Sequence, residues 1–500
     1  SGRLPWTELV FSACARGGPV PMVWEFRPGT HFEDCTPRVS KLGEVPIVTI
    51  DNQTIAVMID EAGLIEYLAD RLRGHFIVDQ QQRSLLAFTA TKNVPVVVPT
   101  PDEIDRRLED TKTAWQRWSS RVNECGEWSP YVVRSALALK TLIAERSGAI
   151  AAAVTTSLPE RVGGPKNWDY RYAWVRDSSF SINAFSNLGM NEEVHNSVAF
   201  LIRAIRKNGP ELHVFFTLDG GLDVGEVKLD VPGYRFSRPV RAGNDATDQM
   251  QLGNYGDLFD TIHRYAMAGH VLDESTQTLL VGIADQCRKR WRKPDSGIWE
   301  LHELRHYTIS KIGCWVTFDR AIQLVECGQL PDSHVDRWRA ERDEIREYIE
   351  TRCWSEKKQA YSLCADCDDL DAAVLLAART GFDRGDRLRR TIDAIEDELS
   401  EGVLIYRCTG ARKEEGAFVA CTFWMVEALA HTNQLDRAQR VMTIAVELTN
   451  DVGILSEQID PSSGAFLGNL PQGLSHLSLI NAAFTLNRAQ HRARGGGGPT

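Results

Sequence analysis

Two glutamates and one aromatic-rich stretch carry the chemistry that the types and spacing of residues suggest. Glu300 closes the segment Asp295-Ser296-Gly297-Ile298-Trp299-Glu300, directly after an indole and a glycine-bearing turn. Half-burial against that ring raises a carboxylic acid above its ordinary range and lets it hold, then donate, a proton near neutrality. Glu457 lies in Leu455-Ser456-Glu457-Gln458-Ile459-Asp460-Pro461, a loop that precedes Gly464 and the Leu467-Gly468-Asn469 turn. One acid and one base on opposite sides of an acetal carbon are the minimum machinery for cleaving a glycosidic bond, and a gap wide enough for a water gives inversion. Taken alone, any two of the 68 acidic residues are more often solvated surface groups.

The stretch Asn167-Trp168-Asp169-Tyr170-Arg171-Tyr172-Ala173-Trp174-Val175-Arg176-Asp177 alternates large rings with charges. A core-facing helix would space apolar residues by three or four. Alternating rings and charges instead suit a pocket for a neutral polyhydroxylated ring, with aromatic faces against its C–H surface and Arg and Asp on its hydroxyls. The plainer reading is an aromatic packing corner with an internal Arg–Asp pair. Other catalytic systems find less support. There is no Gly-x-Ser-x-Gly elbow, no Walker loop and no His-Glu-x-x-His. His302 and His306 are four apart, a spacing that places both on one face if the segment is helical, but Glu303 between them completes no metal motif. They read as a solvated or hydrogen-bonded pair. Cys364-Ala365-Asp366-Cys367 has metal-like spacing without a second pair nearby, and reads as two thiols in a loop.

The elements that must position these residues come from a 500-residue chain of ordinary globular composition, 43% hydrophobic and 25% charged. A net charge of −11, with no basic run to offset it, argues against nucleic-acid or anionic-membrane partners and leaves neutral sugars open. No apolar run is long enough to span a bilayer and no signal peptide is visible, although the start at Ser1-Gly2-Arg3 is compatible with a removed leader. Eleven scattered cysteines, an odd number, predict reduced thiols and a cytoplasmic location. A homo-oligomer is compatible with this composition. No cofactor is implied, and no metal-ligand cluster is legible.

Residues 1–100 read as a β-rich domain, a partial sandwich. The runs at 45–50, 54–59 and 96–98 are short and β-branched, punctuated by Pro, Gly and the Asp51-Asn52 turn signal. From Pro101 a 3.6-residue periodicity takes over, first as a linker helix within 101–130. Helices follow at 132–145, 179–188, 193–206, 255–268, 274–290, 312–326, 337–348, 372–378, 388–399, 418–430, 435–448 and 474–488, many joined by polar, Gly- and Trp-bearing loops. A succession of this kind without a fixed period predicts a helical toroid rather than a short-repeat solenoid. Residues 491–500 form a Gly-rich tail.

These segments together resemble a bacterial member of glycoside hydrolase family 15, the family of glucoamylases, glucodextranases and some bacterial trehalases. The resemblance runs from Arg134-Ser135-Ala136-Leu137 through Thr155-Thr156-Ser157-Leu158-Pro159 to Asn167–Asp177. It continues at Pro232-Gly233-Tyr234-Arg235, Ser237-Arg238-Pro239-Val240-Arg241 with Gly243-Asn244, and Gly297-Ile298-Trp299-Glu300. It then takes in Ser310-Lys311 to Asp319-Arg320-Ala321, Glu415-Gly416-Ala417-Phe418, and Ser456-Glu457-Gln458 through Asn481-Ala482-Ala483. It implies a mainly α fold, an (α/α)6 toroid over 131–490, behind a smaller β-sandwich of which the chain resembles only the second half, as if truncated or reduced.

By resemblance Glu300 is the general acid and Glu457 the base that activates water, with inversion. Arg176 and Asp177 hold the hydroxyls of the terminal glucose, with Tyr170, Trp174 and Trp299 around the same sugar. Arg407 reaches that glucose, and Arg241 and Asn244 stand at the pocket wall. Two departures bear on the sugar beyond the scissile bond: Leu301 stands where fungal members carry a second carboxylate, and Gly253-Asn254 replaces an Asp-containing pair. The expected activity is exo-acting release of glucose from the non-reducing end of α-glucosides. α,α-Trehalose hydrolysis is the alternative within the family. A non-catalytic sugar-binding protein and an inverting phosphorolytic enzyme are the readings from other classes, and the intact pair of glutamates counts against both.

Overall fold

The computed structural model describes residues 7–29, 37–60, 63–68, 71–78, 80, 83–209 and 211–495. The chain forms two compact units, 1–120 and 121–500. The first is built from antiparallel strands β1 (Thr7–Ala13), β2 (Val20–Phe26), β3 (Arg38–Leu42), β4 (Val45–Ile50), β5 (Gln53–Asp60), β6 (Leu64–Tyr67), β7 (Leu72–Val78) and β8 (Ser84–Lys92). They make a five-stranded sheet of order β1-β8-β5-β4-β3 and a three-stranded sheet of order β2-β7-β6. The Asp51-Asn52 turn closes the β4–β5 hairpin, with Ile50 opposite Gln53. Burial in β4 alternates residue by residue, as a half-buried strand requires. Val48, Ile50, Val57 and Leu86 from the larger sheet meet Leu72, Trp24 and Phe26 from the smaller, which is the core of a β-sandwich.

Helix α1 (Pro101–Ser119) starts at a capping box between Thr100 and Glu103. Its Ile104 packs on Met58, Leu85 and Ala87 of the larger sheet, and Arg107 pairs with Glu8 in bidentate fashion. It therefore belongs to the first unit rather than serving as a linker. Residues 96–98, where β-branched composition predicts a strand, are irregular. Pro95 and Pro99 flank them, and neither has an N–H to give to a ladder.

The second unit contains α2 (Ser129–Thr141), α3 (Val175–Asn187), α4 (Asn191–Asn208), α5 (Gly253–Met267), α6 (Glu274–Arg290), α7 (Thr308–Glu326) and α8 (Val335–Arg352). A 3-10 turn (Ala372–Leu376) then runs into the single-turn α9 (Ala377–Thr380), followed by α10 (Asp386–Leu399), α11 (Val419–His431), α12 (Leu435–Ala445) and α13 (Gly473–Ala493). Burial sorts them into two layers. Helix α11 is buried from Val419 to Ala430, whereas α8 buries only Trp338, Ile345 and Ile349. A helix apolar all round belongs inside and one with a narrow stripe belongs outside. Helix α3 packs on α5, α5 on α7, α7 on the 372–380 turn, that turn on α11, α11 on α13, and α13 back on α3. The closed inner ring, with α2, α4, α6, α8, α10 and α12 outside it, is the (α/α)6 toroid.

Where the structure departs from the periodicity, local causes are visible. Helix α3 begins at Val175 rather than 179, which puts Arg176 and Asp177 in its first turn. The helix predicted over 132–145 stops at Thr141, and Ile143–Ala144 pairs instead with Ala149–Ile150. The helix predicted over 372–378 is instead a 3-10 turn capped by Asp371 that runs into one α-helical turn, and Gly381, at φ +78°, ends it. Part of the expected 491–500 tail is the last turn of α13; residues 496–500 lie outside the described residues. The loops that lead into the inner helices are long, and they carry the site.

Candidate active site

A cavity of about 690 Å³ opens among these loops, and all ten residues singled out from the sequence line it. They come from five separate approaches to the inner ring. Tyr170, Trp174, Arg176 and Asp177 lead into α3, Arg241 and Asn244 into α5, Trp299 and Glu300 into α7, Arg407 into α11, and Glu457 into α13.

Glu300 is held by its backbone as much as by its neighbours. Its φ is +58°, a left-handed conformation that costs a non-glycine residue about 1 kcal/mol or more and persists only where the surroundings enforce it. Two features enforce it. Gly297 at φ +67° passes so near Tyr307 that a Cβ there would lie 2.8 Å from the ring. Asp295, fully buried, accepts from Leu252 N (2.9 Å) and Ser310 Oγ (2.7 Å) and pins the start of the loop. The Glu300 carboxyl accepts a hydrogen bond from Trp174 Nε1 at 2.7 Å. Burial pushes its pKa up, while Arg176 and the Trp174 N–H draw it back. A carboxyl protonated beyond the ordinary range is what a general acid requires.

Arg176 joins the 170–177 segment to the loop that carries Glu300. Its Nε donates to Asp177 Oδ2 (2.9 Å) and its Nη1 to the carbonyl of Ile298 (2.7 Å). Trp174 stacks on Phe215 with ring centroids 4.4 Å apart and meets Tyr170 edge-on at 5.5 Å. Trp299 packs between Phe418 and Trp424 and donates to Asp371 Oδ1 at 2.8 Å. Burial pushes Asp371 up to about 7.

Glu457 is placed by backbone bonds, N–H to Asn469 O (3.2 Å) and C=O from Val419 N (3.0 Å). Its Oε2 is buried beside Gly468, with no hydrogen-bond partner among the described residues. Beside it Arg407 clasps Glu415 with both arms of its guanidinium, Nε to Oε1 at 2.6 Å, and its Nη2 lies 3.5 Å from Glu160 Oε2. Lys166 Nζ lies 3.0 Å from both Glu414 and Glu415. Burial first, and then the charge of Glu160, push Glu457 up, while Arg407 and a hydrogen bond from Tyr170 pull it down. Glu160 is raised too, first by burial. Three buried carboxylates, Glu160, Glu415 and Glu457, thus face the cations Arg407 and Lys166. The charge of Glu415 also raises Glu160, while Arg407, Lys166 and a hydrogen bond from Gln458 lower it.

The opposite wall uses most of its polar capacity on itself. Arg241 Nε pairs with Glu226 (2.9 Å), its Nη1 donates to the carbonyls of Pro165 and Asn167 (both 3.0 Å), and its guanidinium lies over Trp168. Asn244 donates to Asp169 O and accepts from Ala246 N. His302 lines the cavity and His306 does not. The segment between them is irregular rather than helical, so they share no helix face. Among the described residues no group of three or more His, Cys, Asp and Glu side chains is arranged to hold a metal ion. No helix among them is long and apolar enough to cross a membrane.

Glu160, Lys166, Glu226 and Asp371 escaped the reading of the sequence. The available signal for Glu160 was its position directly after Thr155–Pro159. Nothing local marks the others, since their partners lie far along the chain.

The sequence pattern of the family described as Glycosyl hydrolases family 15 matches residues 128–446 and 430–484. A trehalase of Thermoplasma volcanium is 32% identical over 496 residues, 98% of this chain and 79% of its own length. A trehalase of Mycobacterium tuberculosis is 36% identical over 426 residues, 82% of this chain and 62% of its own. Among solved structures, a bacterial glucoamylase complexed with acarbose superposes with a TM-score of 0.74 at 13% identity, over 96% of this chain and 80% of its own. A wild-type glycosidase superposes with a TM-score of 0.59 at 18% identity, over 74% of this chain and 98% of its own.

Proposed function

The chain belongs to glycosyl hydrolases family 15 and is a glycoside hydrolase, and from that premise we propose that it cleaves α,α-trehalose into two glucose molecules with inversion at the attacked carbon. The observation that carries this substrate over maltooligosaccharides is the identity to proteins named trehalase along 98% of the chain. The resemblance to glucoamylase is one of fold. The cavity agrees in size with a small-ligand site, about 300–1,000 Å³, and in lining with a disaccharide. The Arg176–Asp177 pair lines it together with the polar side chains of Lys166, Glu226, Gln249, His302 and Glu414.

One glucose sits against Tyr170, Trp174 and Trp299, its hydroxyls on Arg176 and Asp177, while the second meets the polar rim. Glu300 gives its proton to the bridging oxygen, and the Trp174 N–H bond strengthens as the carboxylate forms. Glu457, ionised, takes a proton from a water that attacks the anomeric carbon from the opposite face. The attacked ring leaves as the β anomer and the departing glucose keeps its α configuration.

The test is glucose release from equal concentrations of trehalose, maltotriose and isomaltose, with Glu300→Gln as control and the first anomers read by NMR. Trehalose is consumed, α and β glucose appear in equal amounts, and the variant is silent. Preference for maltotriose or isomaltose would overturn the substrate, two α anomers would overturn inversion, and an active Glu300→Gln would overturn the acid.

A further inference from the structure

The Cys364-Ala365-Asp366-Cys367 turn remains unused by the chemistry above, yet it is built with more care than an incidental loop. Asp366 at its centre has φ +58°, and two bonds to Arg352 hold it there: its N–H donates to the Arg352 carbonyl at 2.8 Å, and its carboxylate pairs with the guanidinium, Nε to Oδ1 at 2.7 Å. This tight turn folds the second cysteine back on the first, so that Cys364 N–H donates to Cys367 Sγ at 3.3 Å. Arg305 Nη1 lies 3.7 Å from Cys364 Sγ. Cys364 is buried against Tyr307 and Leu363 with Cys408 alongside, whereas Cys367 is half-exposed between the exposed Asp366 and Asp368. One sulfur faces solvent and the other stands behind it, the arrangement of an attacking and a resolving thiol.

We propose that Cys367 and Cys364 form a reactive dithiol that closes to an intramolecular disulfide by exchange with a neutral low-molecular-weight disulfide. The Cys367 thiolate attacks one sulfur of the reagent, forms a mixed disulfide and releases one reagent thiol. Cys364, losing its proton to solvent, then attacks Cys367 Sγ and displaces the second reagent thiol. Two electrons pass from the protein's thiols to the reagent's S–S bond. The charges fit this division of labour: a hydrogen bond from the Cys364 thiol outweighs the opposing effect of burial and brings Cys367 down to about 6, whereas the same bond and burial together raise Cys364. His306 and Arg352 flank the turn on the basic side, and Asp366, Asp368 and Asp369 on the acidic side. That acidic flank disfavours anionic disulfides, which makes bis(2-hydroxyethyl) disulfide the probe of choice.

The full chain, reduced and freed of reductant, is exposed to this probe under native conditions, quenched in acid, alkylated and mapped by mass spectrometry. The expected product is a 364–367 peptide two hydrogens lighter and resistant to alkylation, while Cys125, Cys287 and Cys314, all buried, stay free. Cys364→Ser should stop at the mixed disulfide on Cys367, and Cys367→Ser should leave Cys364 alkylatable. Free thiols at both 364 and 367 while the exposed Cys14 and Cys327 carry the probe would overturn the proposal. So would a link from either cysteine to Cys408. The wild-type map decides the matter by itself if either variant folds poorly.

Discussion

Replacing Trp174 by phenylalanine isolates a single hydrogen bond of the proposed mechanism. The indole is almost wholly buried and stacks on Phe215, so a phenyl ring retains much of that contact while losing the Nε1–H that reaches Glu300 Oε1 at 2.7 Å. In the ground state Glu300 is protonated and the bond is neutral, contributing about 0.5–1.5 kcal/mol. As the proton passes to the bridging oxygen the acceptor becomes a carboxylate, for which such a bond contributes about 1.5–3 kcal/mol. Only the difference, roughly 1–2 kcal/mol, lowers the barrier, and it corresponds to about 5–30-fold in kcat. The same bond favours the ionised acid, so its loss moves the Glu300 pKa further up, and the basic limb of kcat/KM shifts to higher pH. Initial rates of trehalose hydrolysis across pH, with far-UV dichroism to confirm folding, measure both effects. A kcat within about twofold of wild type, or a basic limb that stays in place or moves down, would refute this account of the acid.

Further outcomes follow from the base side. Gly468 has φ +71° and passes so close to Glu457 that an added Cβ would overlap Oε2 and lie 2.7 Å from Glu457 Cβ. Gly468→Ala is therefore expected to lower kcat by about 10²-fold or more by displacing the base, with a denaturation midpoint only modestly reduced. Glu160→Gln removes a like charge beside Glu457, so Glu457 ionises at lower pH and the acid limb of the rate profile moves down; an unmoved limb would show that Glu457 does not sense Glu160. His476 positions the base's loop by accepting from Leu455 N at 3.1 Å, and burial brings it down to about 3. Its folded pKa lies below the unfolded value of about 6.5, so the unfolded chain binds the proton first. Its contribution to stability is complete above that pH and falls by about 1.4 kcal/mol per pH unit as the pH drops toward 3. Urea unfolding at several pH values should find His476→Gln less stable than wild type near neutrality, and the gap narrowing in acid.

How far the site was legible depends on the range over which each residue is determined. Trp299 and Glu300 are adjacent, and Trp174, Arg176 and Asp177 lie within four positions, so their types and spacing already suggested a sugar pocket with an acid beside it. The outer helices from 193 onward were legible because each turns one apolar stripe toward the inner ring. The start of α3 was not, because its N-cap, Trp174, makes no side-chain cap bond and the first turn looks like a loop of rings and charges. The irregular 96–98 and 302–306 segments show the converse, a composition or spacing that fits an element the backbone does not form.

The sequence by itself determined the helical class, the sandwich in front of it and the two glutamates most suited to acid–base work. The first two follow from residue type and short-range period, which the chain carries locally, whereas the glutamates stood out by resemblance to a known family. Only the tertiary structure decided that all ten residues line one cavity, and what charge surrounds the base. Lys166 meets Glu415 across 249 positions, and Arg407 approaches Glu160 from another loop altogether. Closing the inner ring of helices brings such loops together, and burial there pushes Glu160, Glu300 and Glu457 above the ordinary carboxylate range. A linear pattern contains neither the distance nor the dielectric that make that so.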